Sequence, residues 1–401
     1  MLFANLSQHL VLSALLFISS TSGAPSSSNP SNSPGSMEVL GGNCLDYQIP
    51  VTTQTEALIW GLPKFTTNYD ASAFILSLIQ RYGQLHHRRN VLFPKESKDG
   101  HEKTVLLATH GLGFDRRYWI PSTVNTSEYS FAEYAISKGY SIFMYDRVGT
   151  GTSSKVSGYS ESQISNHLAI LTSLTNRLRS GQYTGQLPGG KPSKIVHVGH
   201  SFGSILTHSL IVQDPSISDG VILTGTAYNQ TTTDFPAFFE GARLNIANTV
   251  SPAKYHGLDS GYLAFADVYG NAASFFNPAA FDPDALWYTQ HVAQPLGAIE
   301  LLPPKSGNPG ATNFTGPVSI PSLLFLPLLE ITVMILTGEL DLGNCAGNCN
   351  GALDSPARDL FNKAKPFKTA VHPKAGHGIN FNPNATGAYG VMTDFLALSG
   401  L

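Results

Sequence analysis

The sequence predicts an α/β domain: a mostly parallel sheet flanked by helices and interrupted by a largely helical insertion. Three observations carry this expectation. From about residue 100 onward, short apolar runs alternate with longer helical stretches. Those runs are dense in Val, Ile and Leu without strict alternation, as in strands buried on both faces. Between about Tyr228 and Pro321 the rhythm stops, no clean strand is visible, and aromatic residues crowd together.

The 401 residues are enough for one large core with a substantial insertion. A net charge of −3 and a charged fraction of 13% leave no basic face, so nucleic acid is excluded as an expected partner. At the start of the chain, Leu10 to Ile18 forms an apolar core, and the small residues from Ser19 to Ala24 offer a cleavage site. Residues 1–23 therefore read as a secretory signal and the protein as secreted; the apolar run is short for a bilayer, so no stable membrane insertion is expected. Residues 24–36 are a Pro/Ser-rich linker with too little apolar content to fold. Sequons at Asn125, Asn229, Asn313 and Asn384 lie in polar stretches where a glycan could sit. Of the three cysteines, Cys345 and Cys349 closing CAGNC are the favoured disulfide and Cys44 the free thiol, although three pairings are open. One Cys-x3-Cys pair without a second cluster does not make a zinc site, and no metal is expected.

The core is expected in two parts, residues 37–227 and 321–401, around a lid at 228–320. In the first part, Asp46–Val51 reads as an early strand, and Asp70–Tyr82 has apolar residues at helical spacing after a possible Asn68 or Asp70 cap. Further strands are expected at Thr104–Thr109, Ser141–Tyr145, Lys194–Val198 and Gly220–Thr224. Helices are expected at Glu161–Leu178, with Ser160 and Gln163 as a capping box, and at Ser204–Val212. The second part should supply strands at Ile331–Leu336 and near Thr369–His372.

The chemistry centres on GHSFG, Gly199 to Gly203. In a chain this rich in Gly and Ser the G-x-S-x-G pattern arises by chance in roughly one chain in three. Its position is more specific, because Ser201 follows a buried strand and precedes a helix. Small neighbours let strand and helix approach, and the tight turn lifts the hydroxyl to the helix N-terminus, where N–H groups favour negative charge. A serine nucleophile needs a base, and the base needs an orienting acid. After the ITVMIL run come Thr337–Gly338–Glu339–Leu340–Asp341, and His377, 36 residues beyond Asp341, stands in Ala375–Gly376–His377–Gly378.

Together these motifs resemble the α/β-hydrolase superfamily, in the manner of secreted fungal-type serine hydrolases and esterases. The resemblance covers about residues 100–227 and 321–401 and implies the α/β-hydrolase fold. It implies Ser201 as nucleophile, Asp341 as acid with Glu339 as the alternative, and His377 as base, in the fold's usual chain order. His110–Gly111–Leu112–Gly113 is similar to the family's H-G-x loop, so the backbone amides of Leu112 and Phe202 would form the oxyanion hole. Asp146–Arg147–Val148–Gly149 is similar to the D-R-x-G segment, and both charged residues read as turn formers rather than catalysts. Asp at the elbow would indicate epoxide hydrolases or dehalogenases of this fold; Ser201 stands there instead.

The expected activity is cleavage of a carboxylic ester or lactone through an acyl-enzyme, with no cofactor and a small apolar or aromatic substrate bound under the aromatic lid. The alternatives are an amide or peptide hydrolase, an acyltransferase, lyase or cyclase of a biosynthetic pathway, and a silent binding protein of the same fold.

Overall fold

The computed structural model describes residues 4–19, 42–82, 103–184, 190–229, 235–302, 331–353, 355–361 and 364–401. The strands in chain order are β1 (Ala4–Ser19), β2 (Gly42–Ala57), β3 (Thr104–Thr109), β4 (Ser141–Tyr145), β5 (Lys194–His200), β6 (Gly220–Thr224), β7 (Leu244–Ile246), β8 (Tyr262–Phe265), β9 (Leu296–Gly297), β10 (Val333–Gly338) and β11 (Phe367–His372). Eight of them form one sheet in the order β11-β10-β6-β5-β3-β4-β1-β2. From β11 to β4 the neighbours are parallel, with Leu106 opposite both Ile142 and Val196, and Val333 opposite both Val221 and Phe367.

The sequence explains this arrangement. Every residue of β3, β4, β6 and β10 is buried, which only a strand covered on both faces requires, and their near-continuous apolar character matches. Helix Phe202–Gln213 packs on β5 and buries Leu206, Leu210 and Ile211. Each such side chain contributes about 1.5–3 kcal/mol through burial. At the sheet edge β11 is only half-buried until His372, and helix Ala385–Leu398 packs beside it.

One detail departs from expectation. The helix expected from Glu161 runs from Ile164 to Arg179, with Gln163 rather than Ser160 at its cap. The Gln163 side chain is committed elsewhere: its carbonyl accepts the Leu58 N–H at 2.8 Å and its amide donates to the Ser160 carbonyl. No capping box forms. At the other end of the sheet, Ala4–Ser19, which includes the apolar core of the expected export signal, forms β1 between β2 and β4, antiparallel to both.

The described part of the insertion, residues 235–302, contains helices Phe235–Ala242, Ala247–Val250, Val268–Phe275 and Pro283–Val292. Their starts have local causes. Asp267 accepts the N–H groups of Tyr269 and Gly270, and Asp282 caps a helix that opens with Pro283. The insertion also holds a three-stranded antiparallel sheet, β7-β8-β9, where no clean strand was expected. Strands of three, four and two residues are too short to show a period-2 pattern. The 24–36 linker, Asn313 and residues 303–330 lie outside the described residues.

Candidate active site

All the candidate residues gather at the carboxyl ends of the parallel strands. Ser201 follows β5 with φ 54° and ψ −116°, a conformation that a non-glycine residue holds at a cost of order 1–3 kcal/mol. The flanking glycines make the turn possible. A Cβ on Gly199 would approach the Gly203 carbonyl oxygen to 2.6 Å, and one on Gly203 would collide with the Thr109 carbonyl of β3. Thr224, at the end of β6, fixes the elbow. Its carbonyl accepts the Ser201 N–H and the Ser204 hydroxyl, both at 2.9 Å, and its own hydroxyl donates to the Gly199 carbonyl at 3.1 Å.

The Ser201 hydroxyl lies 2.8 Å from His377 Nε2, and His377 Nδ1 lies 2.7 Å from Asp341 Oδ2. The three side chains thus form one continuous hydrogen-bonded chain from a half-buried hydroxyl to a fully buried carboxylate. Asp341 is the N-cap of a short helix, Leu342–Cys345, and accepts the Asn344 N–H at 3.0 Å. Asn344 Nδ2 and the Thr337 hydroxyl each donate to it at 2.9 Å. Burial alone would raise the pKa of this carboxyl. The charge on His377 and these donors outweigh it and hold the group at about 2. Asp341 is therefore an anion facing the imidazole. Glu339, the alternative, faces solvent and accepts the Lys374 N–H at 2.8 Å and the Asn350 amide at 3.3 Å.

His377 sits in a braced loop. Asn382 accepts the Gly376 N–H and donates to the Gly378 carbonyl, and it also binds the Phe275 carbonyl and the Asn277 N–H of the insertion. Aromatic side chains of the insertion wall the imidazole: the Phe275 ring stacks at 5.9 Å and the Phe238 ring stands edge-on at 5.4 Å. Phe265 packs against Phe275 at 5.3 Å.

The H-G-x loop lies beside the elbow, where a Cβ on Gly111 would come within 2.9 Å of Ser201 Cβ. Leu112 is half-buried next to it, and Phe202 is the buried first residue of the helix after the elbow. His200 is fully buried with its ring stacked on Tyr118 at 4.2 Å, and its Nε2 has no hydrogen-bond partner among the described residues. Burial first, then the nearby His377 charge, lowers its basicity well below the usual range, so it is a neutral wall. Arg147, read from sequence as a turn former, is wholly buried, with its guanidinium 4.8 Å from the Phe202 ring centroid.

Cys345 and Cys349 form a disulfide just after Asp341, and Cys44 is free. Asn125 and Asn384 are exposed and Asn229 is half-exposed. Among the described residues no group of three or more His, Cys, Asp or Glu side chains is arranged to hold a metal, and no helix is long and apolar enough to cross a membrane.

Sequence reasoning missed Thr224, Asn344 and Asn382. None belongs to a motif, and each acts through a contact with a distant segment. Asn344 had one readable signal, its place three residues after Asp341, the spacing at which a side chain at a helix start receives a backbone N–H.

No curated protein matches the sequence. Solved structures similar to the chain include a thermophilic esterase from Thermogutta terrifontis, at 17% identity and TM-score 0.47 over 76% of this chain and 97% of that one. A candidate lipase from Acinetobacter baumannii has 16% identity and TM-score 0.44, over 80% and 95% of the two chains. A monoacylglycerol lipase from Paleococcus ferrophilus has 16% identity and TM-score 0.42, over 76% and 96%. The model of the alpha/beta hydrolase family matches residues 105–388, which include every element of the site just described. With that match over most of its length, the chain belongs to the alpha/beta hydrolase family.

Proposed function

We propose that the protein is a serine hydrolase that cleaves a carboxylic ester or lactone through an acyl-enzyme on Ser201. The observation that carries this reading is the hydrogen-bonded chain Ser201–His377–Asp341, with its hydroxyl end at a strained strand-to-helix turn. His377 Nε2 takes the hydroxyl proton as Ser201 Oγ attacks the carbonyl carbon. The tetrahedral oxyanion is stabilised by the amides of Leu112 and Phe202, an interaction whose loss typically costs about 2.7–4 kcal/mol per donor. His377 then delivers the proton to the departing alcohol. Water, deprotonated by the same imidazole, releases the acid and regenerates Ser201. Asp341 stays ionised and stabilises the imidazolium.

The substrate class follows from the walls. Phe238, Phe265 and Phe275 offer apolar surface beside His377, which suits an apolar or aromatic acyl or alcohol group and provides no charge for an amino terminus. A fluorophosphonate probe should label the wild type at Ser201 and leave Ser201→Ala unlabelled, and short p-nitrophenyl esters should turn over faster than aminoacyl anilides. An unlabelled wild type refutes the reading. Preferential anilide cleavage moves the bond from ester to amide, and labelling without turnover of either panel indicates transfer or lyase chemistry.

Export is also proposed, with removal of residues 1–23, on the apolar run Leu10–Ile18 and the exposed sequons at Asn125 and Asn384. Removal of the leader and its retention as β1 exclude each other. N-terminal sequencing of protein recovered from the medium supports export if the chain starts near Ala24 and overturns it if the chain starts at Met1.

A further inference from the structure

Beneath the elbow lies a charged cluster with no place in the serine mechanism. Arg147, Glu300 and His167 are all buried, with the Arg147 and Glu300 side chains 0% and 1% exposed. Glu300 Oε1 pairs with the Arg147 guanidinium and lies 2.7 Å from His167 Nε2, and its second oxygen accepts the Gly297 N–H at 2.8 Å. Arg147 and Glu300 come from different parts of the chain. Arg147 follows β4 in the core, whereas Glu300 sits in a short 3-10 turn, Ala298–Leu301, that ends the described part of the insertion.

Arg147 reaches both segments that carry the oxyanion amides. Its Nη2 donates to the Gly111 carbonyl at 3.3 Å, one residue before Leu112, and its guanidinium lies against the Phe202 ring. Its backbone N–H donates to His110 Nε2 at 3.0 Å. The insertion grips the same loop a second time, through the Gln294 N–H, which donates to the Gly113 carbonyl at 2.8 Å. The Glu300 carboxyl is ionised. Burial alone would raise it, but the Arg147 charge and the His167 contact hold it at about 2.

A buried guanidinium without an anion would be expelled or would draw in water. Glu300 is what allows Arg147 to stay buried between the two segments. We infer that Glu300 is a positioning residue: by anchoring Arg147 from the insertion, it sets the spacing of the Leu112 and Phe202 amides around the oxyanion. This rests on the serine-hydrolase reading above. A displacement of about 1 Å at such donors can lower a rate about 100-fold.

The test compares wild type, Glu300→Gln and the double variant Arg147→Met/Glu300→Leu by fluorophosphonate labelling kinetics and ester turnover, with folding monitored by thermal melting. Replacing a buried ion pair by apolar side chains is often neutral for stability, so the double variant keeps the proposal testable where the single one unfolds. The expected result is a fall of about 100-fold in kcat and in the maximal labelling rate, in both variants, with KM and the half-saturating probe concentration within about threefold of wild type. A merely structural pair would lower the melting temperature in Glu300→Gln and leave the folded double variant at full kcat; that result overturns the positioning role alone. An unlabelled wild type overturns the hydrolase reading, and this inference with it.

Discussion

Replacing Asp341 by Asn tests the acid with a magnitude that follows from its surroundings. Oδ2 receives three side-chain donors, from His377, Thr337 and Asn344, whereas Oδ1 receives the Asn344 backbone N–H. An amide nitrogen placed at Oδ2 would face all three donors; at Oδ1 it faces one. The oxygen should therefore stay toward His377, the imidazole should keep its productive tautomer, and the loss should be mainly that of the charge. The carboxyl is held at about 2 against an ordinary 3.8, because His377 and the hydrogen bonds outweigh burial. That difference corresponds to about 2 kcal/mol of preference for the anion, or a loss of some tens-fold in kcat/KM for Asp341→Asn. The assay is p-nitrophenyl ester turnover at neutral pH, normalised to sites titrated with a fluorophosphonate. A fall near 10⁴-fold would mean that the amide has flipped and the tautomer is wrong. A fall below about tenfold, or an equal effect of Glu339→Gln, refutes the assignment of the acid.

Three further outcomes are expected. Phe238→Ala should open the wall beside His377 and raise the kcat/KM ratio of octanoate to butanoate esters by about tenfold; an unchanged ratio would remove Phe238 from the acyl pocket. Cys345→Ala/Cys349→Ala should lower unfolding stability by about 2 kcal/mol, the loop-closure value for a bridge spanning four residues, with Cys44→Ala far milder by urea denaturation. Burial, and then the Arg179 charge, lowers buried His197 from an ordinary 6.5 to about 3. Its folded form stays neutral while the unfolded form takes a proton, so its contribution to stability is complete above pH 6.5 and lost as pH falls below it. Between pH 6.5 and 5 the loss is about 2 kcal/mol. His197→Gln, unable to titrate, should flatten the dependence of the urea midpoint on pH, and identical slopes in the two proteins would contradict a neutral buried His197.

The parallel strands were legible because burial on both faces leaves a compositional mark. β3, β4 and β6 fall where the apolar runs predict, and β10 and β11 lie within about two residues of expectation. The candidate site was legible for a related reason. A sharp elbow at Ser201 permits little besides glycine at 199 and 203, so the geometry writes itself into adjacent letters. Contacts made at a distance left no such mark. Gln163 has the right spacing for a capping box, yet its side chain goes to Leu58, 105 positions away. Nothing local to Glu300 announces Arg147, 153 positions earlier. The small sheet of the insertion is held by packing of strands too short to carry a period.

The long separations also order events in time. Ser201 and His377 are 176 positions apart, and His377 follows Asp341 by 36. During synthesis the elbow is built well before the imidazole exists, and β11 with helix Ala385–Leu398 closes the sheet edge last. A nascent chain therefore carries the elbow while some 176 further residues are added before Ser201 can meet His377. A truncation before His377 would leave Ser201 without its hydrogen-bond partner, so the order of synthesis itself sets when the Ser201–His377–Asp341 chain can first be assembled.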